Sequence, residues 1–389
     1  MNTDTGLVPT HQETVPAPPD TEAALVRQIF VVCAPGLEQL LLSEVVALGV
    51  AKAKAVGGGV ELDGTLADVQ RLNLWLRTAS RVLVRMGTIK ATAFPELVRK
   101  ASALPWEQFA GKAAQLRVTC RKSRLYHSGA VAERLHAALE ARVGRKIALE
   151  KKEEDEDGPQ LFVARFDHDV CTVSADSSGA LLHQRGYRGP AAKAPQRETL
   201  AAAQLQAAGY QGEAPLCDPL CGSGTIAIEG ALIAMRRAPG LVRGFAFQQW
   251  PGFEVRHFQA LLAAARAGER ALPAWVEASD HDAGAVAATR ENAARAGVTL
   301  QIAQRSLVQL PAAQGAGLLA CNPPYGVRIG GDLRALFREL GDAARRRPSW
   351  SAAAVVADES VARASGLAWQ PLLRTQNGGI PVHLLAVRR

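Results

Sequence analysis

Beyond Gly189 the chain repeats one unit: a helical pattern, a short apolar strand, a polar or glycine-rich turn, then a helix again. No other feature restricts the fold so tightly. Strands separated by helical crossovers pair side by side in parallel, with the helices covering the sheet faces. Two strand ends in this alternation stand out. One strand ends at Asp218 and runs into Gly222-Ser223-Gly224-Thr225. Another, residues 317–321, stops at Asn322-Pro323-Pro324-Tyr325. Proline has no N–H to offer a neighbouring strand, so this chain must turn stiffly at the strand's carboxyl end. In open parallel sheets ligands bind outside those ends.

The first half has a different texture. Residues 28–33 read as a strand, followed by a helix on Leu37, Leu40, Leu41, Val45 and Leu48 that ends at Gly49. A Gly57–Gly59 turn leads to a strand at 60–62, and Thr65 is placed to cap a helix over 66–76. Alternation predicts strands at 81–89 and 115–120, a helix carrying Val131, Leu135 and Leu139, and strands near 161–166 and 170–175. The expectation is an α/β protein with three parts. Residues 1–26 form a disordered tail, 27–180 an α+β region, and 190–389 a parallel-sheet domain, with the boundary in the Gly, Arg, Tyr and Pro crowding of 180–192.

Hydrophobic residues at 48% against 21% charged describe a globular chain, and the net charge of +8 favours a polyanionic partner. The six cysteines are scattered, without a disulfide framework, which fits a reduced cytoplasm. Cys217 and Cys221 lack further partners at zinc spacing, so no metal site is expected. No apolar run is long enough for a membrane span, and no membrane association is expected.

The glycine turn is neither a dinucleotide fingerprint, since position 227 is alanine, nor a P-loop, since no Gly-Lys follows. Two glycines let a ligand approach the backbone, and the helix start offers free N–H groups. They would equally serve tight helix–strand packing. Asp280-His281-Asp282 follows the next strand, 275–279. An acid at that tip can accept both hydroxyls of a ribose, and an acid there can also cap the following helix. Asp280 is the choice for binding and Asp282 for capping.

Asp218-x-x-x-Gly222-x-Gly224 after a strand resembles the first cofactor motif of class I S-adenosylmethionine methyltransferases. The resemblance implies that Asp218, Gly222 and Gly224 cradle the amino acid and ribose of that cofactor, with Asp280 on the ribose and Asn322 also among the cofactor-binding residues. Such enzymes carry an acid after the third strand, near 300–303, for the adenine. Here Ser306 stands in that place. Asn322-Pro323-Pro324-Tyr325 resembles the Asn/Asp-Pro-Pro-Tyr/Phe motif of amino-methyltransferases. By that resemblance the Asn322 side chain and the Pro323 carbonyl accept from an exocyclic amine, and Tyr325 stacks on the base. The chemistry suits these groups. An aromatic amine is a weak nucleophile, and two fixed acceptors favour the pyramidal nitrogen of the transition state.

Further text narrows the resemblance. Gly326 and Arg328 after the tyrosine, Asp176-Ser177-Ser178-Gly179, His183-Gln184-Arg185-Gly186-Tyr187-Arg188 and the 194–205 helix are similar to RNA guanine-N2 methyltransferases. Residues 28–90 resemble the N-terminal part of the large-subunit rRNA guanine-N2 methyltransferase family, and 123–135 resembles the core of THUMP, an RNA-binding module. The implied fold is a Rossmann-like class I methyltransferase sheet behind a ferredoxin-like/THUMP region. The implied reaction moves a methyl group from S-adenosylmethionine to guanine N2 in structured RNA, with large-subunit rRNA as the expected substrate and tRNA as the alternative. A non-catalytic RNA-binding assembly factor is a rival from another class, and DNA methylation is a more distant one. RNA contacts are expected from Arg121, Lys122 and Arg124, within a wider cluster of Arg117, His127 and Arg134, and from Arg185 and Arg188 at the domain junction. The acidic run 150–157 is expected to point away from RNA.

Overall fold

The computed structural model describes residues 25–50, 52–150, 158–189, 196–324 and 332–389. Tyr325, Gly326 and Arg328, most of the expected tail and nearly all of the acidic run lie outside the described residues.

The first sheet takes its strands from β1 (Arg27–Cys33), β2 (Lys54–Val56), β3 (Gly59–Gly64), β4 (Ala79–Lys90), β5 (Ala113–Arg121), β6 (Ala148–Leu149), β7 (Gln160–Asp167) and β8 (Val170–Asp176). Their order is β2-β3-β1-β4-β8-β7-β5-β6. Helices α1 (Glu38–Ala47), α2 (Leu66–Trp75), α3 (Phe94–Ala101) and α4 (Ser128–Val143) accompany it. Thr65 starts α2 as a capping box: its hydroxyl accepts from the Asp68 N–H, and the Asp68 carboxylate accepts from the Thr65 N–H at 2.8 Å. Val131, Leu135 and Leu139 of α4 are fully buried, as their spacing predicts.

The second half contains α5 (Glu198–Ala207), β9 (Leu216–Asp218), α6 (Thr225–Ala234), α7 (Val255–Ala267), β10 (Val276–Asp280), α8 (Ala283–Ala296), β11 (Gln301–Gln304), β12 (Gly317–Cys321), α9 (Leu333–Arg345), β13 (Trp350–Val356), α10 (Glu359–Ala362), β14 (Gln370–Asn377) and β15 (Ile380–Val387). The sheet order is β11-β10-β9-β12-β13-β15-β14, parallel from β11 to β13 and antiparallel through β15 and β14. From β9 the chain winds outward to β10 and β11, then returns to the other side of β9 as β12. The order therefore reverses between β9 and β12, the kind of point outside whose carboxyl strand ends open parallel sheets bind ligands. The glycine turn and the Asn-Pro-Pro turn flank that point.

The two halves are not packed separately. Phe245, Phe247, Trp250 and Phe258, from the stretch between α6 and β10, belong to the core formed by β1, β4, β7 and β8. Phe247 meets Phe258 edge-on at 5.2 Å, and Trp250 meets Phe109 at 4.8 Å. Polar contacts reinforce the junction. Arg77 donates to the Arg237 carbonyl at 2.6 Å, and Gln206 donates to the Glu44 carboxylate at 2.6 Å. Gly36, at φ +87°, lies so close to the Arg374 carbonyl that a Cβ would come within 1.9 Å of its oxygen.

Asp176-Ser177-Ser178-Gly179 serves this architecture. Asp176, Ser177 and Ser178 are all buried, and the two serines bridge Asn73 of α2 to the Val82 backbone. Asp176 pairs with Arg81, yet burial still raises its carboxyl above the ordinary range.

Candidate active site

β9 is three residues long and wholly buried, so Asp218 sits at a strand end with 1% of its surface exposed. Its carboxylate accepts the Leu220 N–H at 3.2 Å, which starts the turn. Burial outweighs that hydrogen bond and lifts the carboxyl well above its ordinary value, and the Asp280 charge adds to the rise. The turn is then fixed to its neighbours. Cys221 N–H donates to the Ser279 carbonyl, and Gly224 N–H closes back on the Cys221 carbonyl at 2.7 Å.

Gly222 and Gly224 take left-handed φ values of +54° and +84°. At Gly224 a Cβ would fall 2.8 Å from the Thr289 methyl. At Gly222 a Cβ would meet nothing within 4 Å, so that face of the turn is open. α8 grips the turn from the side: Thr289 donates to the Gly222 carbonyl and Asn292 to the Ser223 carbonyl, both at 2.9 Å. Helix α6 begins directly after, with no side chain capping its first N–H groups. The Ser223 hydroxyl oxygen is buried with no hydrogen-bond partner among the described residues. An open glycine face, uncapped helix N–H groups and an unmatched hydroxyl fit a ligand with an anionic or polar end.

The structure separates the two acids after β10. Asp282 caps α8, accepting the Gly284 N–H at 2.8 Å. Asp280 turns to the glycine loop, accepting the Gly222 N–H at 3.0 Å, with His281 3.2 Å away. Ser306, at the place of the expected adenine contact, instead starts a short 3-10 turn and donates its N–H to the Gln309 side chain.

On the other side of the reversal point β12 is buried through Cys321. The Asn322 side-chain oxygen is buried and has no hydrogen-bond partner among the described residues. A buried acceptor left unmatched costs about 1–3 kcal/mol, which a donor brought by a ligand would recover. Pro323 is buried behind it and Pro324 is exposed.

Two arginines expected to contact RNA are engaged by groups of the protein itself, Arg185 buried and Arg188 half-buried. Arg185 is 3% exposed, so it has no surface to offer a phosphate. It donates to the Arg77 carbonyl at 2.6 Å and faces Glu229 at 3.5 Å. Arg188 pairs with the buried Glu198 at 3.0 Å and donates to the Thr225 hydroxyl at the start of α6. The sequence shows charge near a junction but not burial. The signal that could have revealed it is Glu229, a lone charge inside the apolar helix α6, which needs a cation.

Arg121, Lys122 and Arg124 are exposed, and between them the loop is held rigidly. Ser123 donates to the Arg121 carbonyl, and Asp169 accepts the Arg124 N–H at 2.6 Å. Leu125 anchors the loop in the core, and Tyr126 beside it stands 78% exposed, a ring that the charge pattern alone does not flag. His127 is occupied as the cap of α4, and Arg134 lies 5.8 Å over the Phe94 ring.

The RMKL-like methyltransferase domain matches residues 185–383, and the RlmL ferredoxin-like domain matches residues 28–83. The chain belongs to the RMKL-like methyltransferase family. It is 35% identical to a provisionally named RNA methyltransferase of Synechocystis, over 94% of this chain and 98% of that protein. It is 36% identical to the ribosomal RNA large subunit methyltransferase K/L of Syntrophotalea carbinolica. That match covers 92% of this chain but only 53% of the relative, so the chain spans about half of it. Among solved structures, SMU.472, a provisionally assigned methyltransferase complexed with SAH, superposes with a TM-score of 0.83 at 27% identity. The superposition covers 93% of this chain and 98% of that one.

Proposed function

We propose that this protein transfers a methyl group from S-adenosylmethionine to the exocyclic N2 amine of a guanine in structured RNA, with large-subunit rRNA as the substrate. One observation carries the reading: the buried, unmatched Asn322 oxygen at the end of β12, across the sheet's reversal point from an open glycine turn. RNA as substrate is supported by the names of the two curated relatives, and the cofactor by the SAH in the similar structure.

The glycine turn, the Ser223 hydroxyl and the Asp280 carboxylate would hold the cofactor, with Asp218 setting the turn beneath. Bound there, the cofactor supplies an electrophilic methyl group. The protein's own work is on the amine. Asn322 Oδ1 and the Pro323 carbonyl accept its two N–H groups, which draws the lone pair out of the ring and orients it for attack. The proton is lost after transfer, so no strong base is needed in the transition state. Tyr325, assigned from the motif, would stack on the base. A guanine must leave its helix to reach such a site, at a cost of a few kcal/mol in a duplex and less in a loop. RNA would be gathered by Arg121, Lys122 and Arg124 on the first half, with Tyr126 offering a face to an unpaired base.

Nucleoside mass spectrometry of separated rRNA and tRNA, with the gene intact and deleted, tests this. Loss of N2-methylguanosine from large-subunit rRNA is the expected result. Loss from tRNA alone would reassign the substrate, and unchanged guanine methylation would overturn the reading.

A further inference from the structure

Helix α5 packs its buried face with Leu200, Ala201, Ala202, Ala203 and Leu205, yet position 204 is glutamine with 1% of its surface exposed. Leucine would fill the same place without a polar group to satisfy. What glutamine adds is three hydrogen bonds. Its amide nitrogen donates to the Cys321 carbonyl at 2.9 Å and to the Ala353 carbonyl at 3.2 Å. Its amide oxygen accepts from buried Gln196 at 3.2 Å. Two donors thus reach the end of β12 and the middle of the adjacent β13, and one acceptor fixes which way the amide faces.

The place matters. β9 pairs with β12 only at Leu318 and Leu319, so the last residues of β12 lack a strand neighbour on that side. Pairing with β13 continues to Cys321. The end of β12 is therefore held on one flank by its ladder and from α5 by Gln204. The Cys321 carbonyl belongs to the same planar peptide unit as the Asn322 nitrogen. Holding the oxygen fixes that plane, and with it the base from which the Asn322 side chain projects.

We propose that Gln204 is a positioning residue for methyl transfer, setting the aim of the Asn322 amide by holding the Cys321 carbonyl. This rests on the reading of Asn322 given above. It touches neither substrate nor cofactor. It acts through the peptide that precedes Asn322.

A double-mutant cycle on the full-length chain tests it. Gln204→Met keeps an unbranched side chain of similar volume and removes both donors. Single-turnover methyl transfer to RNA is measured for Gln204→Met, Asn322→Ala and the pair, with S-adenosylmethionine affinity by calorimetry and melting temperature alongside. Gln204→Met should slow transfer by roughly 10-fold or more, since small misplacements of a transition-state contact are costly. Cofactor affinity should stay within about 3-fold, and the pair should be no more than about 2-fold slower than Asn322→Ala alone. A wild-type rate, or penalties that multiply in the pair, would overturn the proposal. If Gln204→Met does not fold, Gln196→Ala takes its place in the cycle, because it frees the Gln204 amide to turn. A non-additive loss then supports the proposal and a wild-type rate defeats it. Should Asn322→Ala itself leave transfer unchanged, the reading of Asn322 falls and takes this one with it. A slowed but measurable Asn322→Ala with penalties that multiply in the pair removes Gln204 alone.

Discussion

At the scale of the residue, Asn322 separates stability from activity. Its buried oxygen has no partner among the described residues, and on the proposed reading the N–H of a bound amine would supply one. Asn322→Ala should therefore leave the melting temperature unchanged or slightly raised. Turnover should fall by about 10²–10³, the usual loss when one transition-state hydrogen bond is removed. Calorimetry should show the cofactor still binding. A matched fall in melting temperature, cofactor affinity and rate would make Asn322 a structural residue.

At the scale of the element, the α5 start and the 121–126 loop carry measurable electrostatics. Burial, partly offset by Arg188, holds the Glu198 carboxyl up at about 7 instead of its ordinary 4.5. The folded protein thus tolerates the protonated form better. The contribution of this group to stability is full below about pH 4.5 and declines as pH rises toward 7. In Glu198→Gln that part of the decline should vanish, seen as a flatter melting temperature between about pH 4.5 and 7.5 than in wild type. Parallel curves would mean that Glu198 does not titrate there. In the loop, replacing Arg121, Lys122 and Arg124 together by alanine should weaken RNA binding. The slope of log affinity against log salt should shrink by about 0.7–0.9 for each phosphate that is no longer neutralised. Tyr126→Ala should weaken binding to single-stranded RNA more than to duplex, and equal losses would remove the stacking role. These elements also show what the sequence makes legible. Strand ends marked by Gly222-Ser223-Gly224 and Asn322-Pro323 announce themselves, because their chemistry forbids continuing a strand. The capping role of Asp282 is readable from its place before α8. The internal use of Arg185 is not, because its partners Arg77 and Glu229 are distant in the chain and only folding brings them together.

At the scale of the molecule, the sheets divide near residue 180 while the cores do not. Phe245, Phe247, Trp250 and Phe258 complete the packing around β1, β4, β7 and β8. A fragment beginning at residue 181 would expose those rings, and a fragment ending at 180 would lack them. Both should express poorly or aggregate, unlike an enzyme built of separable modules. Co-expression of the two fragments should recover soluble complex, checked by size-exclusion chromatography. A monomeric, soluble N-terminal fragment with a sharp thermal transition would contradict this. The arrangement also bears on how the chain is made. Synthesis delivers the last strand of the first sheet, ending at Asp176, roughly 80 residues before Phe258. At about 5–20 residues per second that is a wait of about 4–16 seconds. During that wait a finished sheet stands with part of its core missing, so a nascent chain has reason to meet a chaperone on the ribosome, before the catalytic half exists.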